Sequence, residues 1–189
     1  MPPSHHPPHL YLDDTWYMIT GSVFHRDRLL TTTRHKETVR DCLKELVIAF
    51  GFELAAWVIL DNHYHILVRG RSGADVPRFV GRLHGRTSYE INNPDNARGR
   101  QVWHNYFDTC VRGERGYWVH FNYIHHNPVK HGYVATCGDW DFSSYGYYLR
   151  TKGEEWLADA FRRYPIVDFT YAEDERHGSS QAVGACSTG

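Results

Sequence analysis

The chain has 189 residues, 41% hydrophobic and 15% aromatic, with a formal net charge of −1. That length holds one ordinary domain with its own core, and the aromatic content excludes a disordered chain. Four scattered cysteines (Cys42, Cys110, Cys137, Cys186) form no CxxC pair, which excludes a disulfide scaffold or zinc-finger spacing, and no apolar run approaches the ~20 residues of a membrane span. With no signal peptide either, a soluble cytoplasmic protein is the expectation.

Residues 1–12 begin with a Pro- and His-rich run without periodicity and are expected to be disordered. Residues 16–24, aromatic and β-branched, read as the first strand. Thr31-Thr32-Thr33 is a helix entry, and from residue 34 to 50 Val39, Cys42, Leu43, Leu46, Val47 and Phe50 recur at steps of three and four. That is an amphipathic helix, ended by Gly51. Residues 52–60 read as the second strand. Asp61-Asn62 supplies turn chemistry, and residues 63–68 form a third strand antiparallel to the second. After an Arg69-Gly70-Arg71-Ser72-Gly73 loop, Asp75 is the expected N-cap of a second helix to about residue 92. Arg78, Arg82 and Arg86 recur along it one turn apart. Residues 102–111 read as a fourth strand, and a third helix runs from Glu114 to His126, stopped by Asn127-Pro128.

This order predicts an α+β, ferredoxin-like split βαβ fold: an antiparallel sheet with helices on one face and residues 63–68 as a central strand. The main domain is expected over 13–150. Asp139-Trp140-Asp141-Phe142-Ser143-Ser144-Tyr145 should pack against it. Residues 151–189 are an expected extension, partly disordered, acidic from Glu154 and small and polar over 178–189.

Charge is unevenly spread. Residues 69–133 carry ten Lys/Arg against five Asp/Glu, and the rest carries eleven against seventeen. Phosphate binding follows the local field and not the total, so nucleic acid is not excluded; arginines coating exposed helix faces give the same pattern.

Two constellations carry chemistry. On a strand, His63 and His65 point one way and Tyr64 the other, so both imidazoles can hold one divalent ion if a third ligand comes from elsewhere. The plain alternative is two histidines on a solvent-facing strand edge. On the third helix Tyr123 and Asn127 are i and i+4 and share a face, whereas Tyr117 lies on another. An amide oxygen beside two imidazoles gives an N,N,O set with open positions, and a phenol can attack phosphorus where a metal polarises the phosphate and His126 or a water takes the proton. The plain alternative is a core tyrosine and a C-capping asparagine.

His63-Tyr64-His65 resembles the HUH (His-hydrophobe-His) motif of single-tyrosine DNA transposases. Tyr123-Ile124-His125-His126-Asn127-Pro128-Val129-Lys130-His131-Gly132 resembles the Tyr-Ile-x-x-Asn-Pro-Val-Lys/Arg-x-Gly segment of REP-associated tyrosine transposases, in the IS200-like group. Asp139-Trp140-Asp141-Phe142-Ser143-Ser144 resembles the Asp-Trp-x-x-Ser-Ser stretch that follows there. The likeness covers roughly residues 16–149. It implies a metal-dependent single-strand endonuclease and strand transferase acting on hairpins of repetitive extragenic palindromes. Tyr123 is then the nucleophile that forms a 5′-phosphotyrosine. His63, His65 and Asn127 hold Mg²⁺ or Mn²⁺, Asn127 standing where the family often has Gln. Arg69, Arg71, Arg78, Arg82, Arg86 and Lys130 are the expected phosphate contacts. One departure is Leu60-Asp61-Asn62, where many members have a Pro. Three other readings compete: a rolling-circle initiator or relaxase, a non-catalytic ferredoxin-like nucleic-acid-binding module, and a His-Asn-His nuclease, whose ββα-metal layout a strand does not supply. Monomer and homodimer both stay open.

Overall fold

The computed structural model describes residues 11–167 and Phe169. Strands β1 (Thr15–Val23), β2 (Glu53–Ile59), β3 (His63–Gly70) and β4 (Trp103–Val111) form one antiparallel sheet in the order β2-β3-β1-β4. β3 is therefore interior, as expected, although it runs two residues further than its apolar pattern predicts.

The alternation of side chains along the strands sorts the core into two layers. Tyr17 and Ile19 of β1 and Tyr64, Ile66 and Val68 of β3 pack with Val39 and Leu43 of α1 (Thr33–Phe50) and Phe79, Val80 and Leu83 of α2 (Asp75–Asn92). Met18 and Leu67 point the other way, onto Phe121, Tyr123 and Ile124 of α3 (Gly113–Lys130). The α+β class and split βαβ order hold, but the helices cover both faces of the sheet and not one. The reason is legible in β3, whose residues are buried on both pleats, so each face needs a cover.

The ends of the helices show which sequence signals decide. The Thr32 hydroxyl accepts from the His35 backbone N–H at 3.1 Å, and Gly51 closes α1 with φ at +64°. Asp75 is not the N-cap of α2: Ala74 holds that place, and Asp75, in the first turn, pairs with Arg78 at 2.8 Å. Nor does Asn127-Pro128 stop α3, which continues to Lys130. Pro128 removes only one N–H bond near the helix end. The stop is Gly132, at φ +70°, where Gly132 N–H reaches Val129 O at 3.0 Å and Tyr133 N–H reaches Pro128 O at 2.9 Å.

Beyond α3 the chain packs back on the domain, as expected. Ser144 N–H donates to Trp57 O, Ile59 N–H donates to Phe142 O, and Trp57 N–H donates to the Ser144 hydroxyl, each at 2.9 Å. These bonds cover the outer edge of β2. The boundary expected at 150 falls inside α4 (Tyr145–Lys152), and α5 (Glu154–Arg163) follows with Leu157 buried. Asn122 of α3 donates to Ala160 O at 2.9 Å and to Tyr164 O at 2.8 Å, fastening α5. Of the expected disordered stretch 1–12, Tyr11 and Leu12 are described, and Tyr11 Oη lies 3.0 Å from Tyr106 Oη. Residues 1–10, the stretch 178–189 and Cys186 lie outside the described residues. Cys42, Cys110 and Cys137 are free thiols. Among the described residues no helix is long and apolar enough to cross a membrane.

Candidate active site

The site forms where the first residues of β3 meet the last turns of α3. His63 and His65 share a pleat, as their spacing predicts, with ring centroids 4.8 Å apart. Each is held through Nδ1. The Asn62 amide N–H₂ reaches Arg26 O at 3.4 Å, which turns Asn62 Oδ1 toward His63 Nδ1 at 2.7 Å. A neutral imidazole has one N–H; with Nδ1 donating to Asn62, Nε2 keeps its lone pair. His65 Nδ1 lies 2.8 Å from the hydroxyl of Thr20, its register partner on β1. Burial pushes the His63 pKa down to about 3, with His131 adding to the effect, and it holds His65 well below the ordinary imidazole value. Both rings are therefore neutral at pH 7, the form that binds metal.

α3 brings the other half. Asn127 Oδ1 is 3.0 Å from His63 Nε2, and Asn127 Nδ2 is buried without a hydrogen-bond partner among the described residues. One turn earlier Tyr123 is 2% exposed, with its ring 5.4 Å from that of His65 and 5.2 Å from that of Phe169. Lys130 Nζ stands 5.2 Å over the same ring. His131 packs its ring 5.2 Å from His63. Tyr123, Asn127 and His131 are i, i+4 and i+8, one stripe of the helix and its cap. His126 is half-buried and sits below its ordinary pKa through burial and the charge of Lys130.

The fold thus gathers His63, His65, Tyr123, Asn127 and Lys130. The expected arginines do not join them. Arg69 sits on the same pleat but at the far end of β3, paired with Glu53 at 2.6 Å and lying 5.2 Å from the Trp16 ring. Arg71 follows the strand end, where its carbonyl accepts from Asp14 N–H at 3.3 Å. Arg78, Arg82 and Arg86 lie on α2, which covers the opposite face of the sheet. Their charges have local partners: Asp75 for Arg78, the Phe50 ring at 5.4 Å for Arg82, and Glu45 at 2.5 Å and Glu90 at 2.7 Å for Arg86. Tyr117 packs on Trp16 at 5.1 Å, away from the stripe.

Three site residues escape the sequence reading: Thr20, Arg26 and His131. His131 was findable by continuing the i+4 steps past Pro128. Thr20 needs the β1–β3 register. Arg26 needs the turn after β1, where His25 and Arg26 are both left-handed, at φ +53° and +57°, and Arg26 adds positive charge felt by both histidines.

Among the described residues no group of three His, Cys, Asp or Glu side chains could hold a metal ion. A metal here would rest on two imidazoles and an amide oxygen. The donors fit that use. The 3.0 Å between His63 Nε2 and Asn127 Oδ1 is the separation of adjacent ligands each about 2.1 Å from a shared ion. The unpartnered amide of Asn127 would be free to donate elsewhere.

Comparison with known proteins gives three further findings. A family model described as "Transposase IS200 like" matches residues 12–127. The chain is 31% identical over 134 residues to the REP-associated tyrosine transposase of Escherichia coli (strain K12), spanning 69% of this chain and 76% of that one. In fold it is similar to a solved REP-associated tyrosine transposase bound to a REP hairpin, with a TM-score of 0.69 and 23% identity over 79% of this chain and 87% of that one.

Proposed function

We propose, on the premise that this chain belongs to the IS200-like transposase family and stands with its REP-associated tyrosine transposases, that it nicks and rejoins single-stranded DNA beside a hairpin through Tyr123. As a transposase it is an enzyme acting on DNA. The finer chemistry is the reading its geometry supports best. One observation carries it: His63 Nε2 lies 3.0 Å from Asn127 Oδ1, on the helix whose preceding turn puts Tyr123 against His65.

In this reading Tyr123 Oη attacks the scissile phosphorus. The Oη–P bond forms and the bond from phosphorus to the 3′ oxygen breaks, leaving a 5′-phosphotyrosine and a 3′-hydroxyl; attack by that hydroxyl reverses the step. His126, on the next helical turn and neutral at pH 7, takes the tyrosine proton and returns one to the leaving oxygen. Lys130 and Arg26 bring positive charge to the incoming phosphate. A divalent ion, Mg²⁺ or Mn²⁺, held by His63, His65 and Asn127, would supply Lewis-acid polarisation of that phosphate. Asn62 and Thr20, bonded to the two Nδ1 atoms, would leave both Nε2 lone pairs available to it.

The solved relative bound to a REP hairpin supports the choice of substrate; a hairpin with a single-stranded flank is the class we assign to this chain. A non-catalytic base-stacking module would need an open aromatic sheet face, whereas helices cover both faces here. The test is cleavage of hairpin DNA bearing single-stranded flanks, with Mg²⁺ or Mn²⁺ and with EDTA. Metal-dependent nicking supports the reading, and nicking equal in EDTA contradicts the ion's part in it.

A further inference from the structure

We infer that Lys36, a buried residue of α1, is a positioning residue for the ligand set, acting through Asp61 to fix the turn from which His63 departs. The inference rests on the function proposed above and deepens it.

Lys36 and Asp61 are 4% and 6% exposed. Lys36 Nζ donates to Asp61 Oδ1 at 2.7 Å and to Leu30 O at 2.6 Å. The other Asp61 oxygen takes Arg28 Nη2 at 2.5 Å, and the Asp61 backbone carbonyl accepts from Leu30 N–H at 2.8 Å. The next residue is Asn62. Its carbonyl accepts from Val23 N–H at 2.8 Å, and its side chain sets the His63 ring through Nδ1. Lys36, Asp61, Asn62 and His63 thus form one continuous run of bonds.

The same ammonium also touches the second arm of the site. It lies 5.4 Å from the Trp140 ring and 5.8 Å from that of Phe142. Trp140 donates Nε1–H to Ile59 O at 3.1 Å and packs on Tyr133 at 5.0 Å. Tyr133 N–H in turn bonds Pro128 O, next to Asn127. Lys36 therefore ties the β2–β3 turn, which carries the histidines, to the end of α3, which carries Asn127. What it sets is the distance between the two.

A buried ion pair contributes little net stability, because desolvation offsets most of its attraction. Its use here is geometric. The Leu60-Asp61-Asn62 turn is held by an ion pair from a helix.

The experiment uses the whole protein and three readouts: Mn²⁺ affinity by calorimetry, thermal melting, and hairpin DNA affinity in EDTA. Lys36→Met/Asp61→Leu removes both charges and should fold: no buried charge is left alone, the exposed Arg28 returns to water, and of the buried acceptors only Leu30 O loses a donor. We expect Mn²⁺ to bind at least tenfold more weakly and cleavage to fall with it, while melting and EDTA-stage DNA affinity stay near wild type. Wild-type Mn²⁺ affinity in the folded variant overturns the inference. If the double variant does not fold, Lys36→Gln, which keeps a donor but loses charge and reach, is read in the same way. A wild-type protein that binds no Mn²⁺ removes the metal reading itself, and this inference with it, which separates the two failures.

Discussion

His63 Nε2 and Asn127 Oδ1, 64 residues apart in the chain, sit 3.0 Å from one another in the core. The contact is a hydrogen bond when His63 Nε2 carries the ring proton; with the proton on Nδ1, beside Asn62, the two atoms face each other as acceptors that a shared cation would join. Asn127→Asp would keep the shape and replace an amide oxygen with a charged one, which hard divalent ions bind more tightly. We expect Asn127→Asp to raise Mn²⁺ affinity and Asn127→Leu to abolish it, as measured by calorimetry. Equal binding by both variants would remove Asn127 from the ligand set.

The groups behind the ligands should matter almost as much. Thr20→Val removes the hydroxyl 2.8 Å from His65 Nδ1, and Asn62→Ala frees His63 Nδ1. Outer-shell losses of this kind cost about 10–100-fold in metal affinity or activity. Hairpin binding in EDTA should be unaffected. A loss in EDTA as large as the loss with metal would show that these variants damage the fold.

Charge near Tyr123 and the two histidines should govern DNA affinity more than charge on α2. Lys130→Ala and Arg26→Ala should each weaken hairpin binding across sequences and reduce the salt slope by about one. Arg86→Ala should change neither, because Glu45 and Glu90 already hold that guanidinium. Anisotropy titrations at several salt concentrations decide this. A steeper loss for Arg86 than for Lys130 would return the α2 stripe to the DNA surface.

Stability should fall on mild acidification. Burial lowers the pKa values of His84 and His125 to about 3, against an unfolded value near 6.5. The folded values lie below the unfolded ones, so the unfolded chain binds protons first. The stability these groups contribute is complete above pH ~6.5 and is lost as pH falls toward ~3. Each imidazole costs about 1.4 kcal/mol per pH unit in that window, so the two together remove about 4 kcal/mol by pH 5, a large share of the ~5–15 kcal/mol typical of a domain. Urea midpoints at pH 8, 6.5 and 5 test this; a midpoint that stays flat between 6.5 and 5 contradicts it.

These sites also show what the sequence could and could not say. Local chemistry was legible: Thr32 as a cap, Gly51 as a stop, Asp61-Asn62 as a turn and the shared pleat of His63 and His65 all depend on neighbours a few residues away. The layering is less legible: continuous burial along β3 asks for a cover on each face, but nothing local says which helix supplies it. Pro128 reads as a helix end, although only a late N–H is lost there and α3 runs on to Lys130. That reading hides the continuation of the Tyr123–Asn127 stripe to His131. Arg26, Thr20 and Lys36 reach the site through a left-handed turn, a strand register and a helix packed across the sheet, none of which leaves a local signature. The arginine stripe on α2 has helical spacing, but spacing says nothing of the carboxylates opposite.

In the proposed reaction Tyr123 becomes covalently joined to DNA. Its ring stands between His65, Lys130 and Phe169, one turn before Asn127. The direct measurement is mass spectrometry of the protein digested after reaction with a hairpin carrying a single-stranded flank, in Mn²⁺. The account predicts a 5′-phosphonucleotide on the peptide containing Tyr123. It also predicts that Tyr123→Phe gives no adduct and no cleavage while it still binds the hairpin. An adduct on Tyr117 or on a serine, or cleavage that persists in Tyr123→Phe, would contradict it.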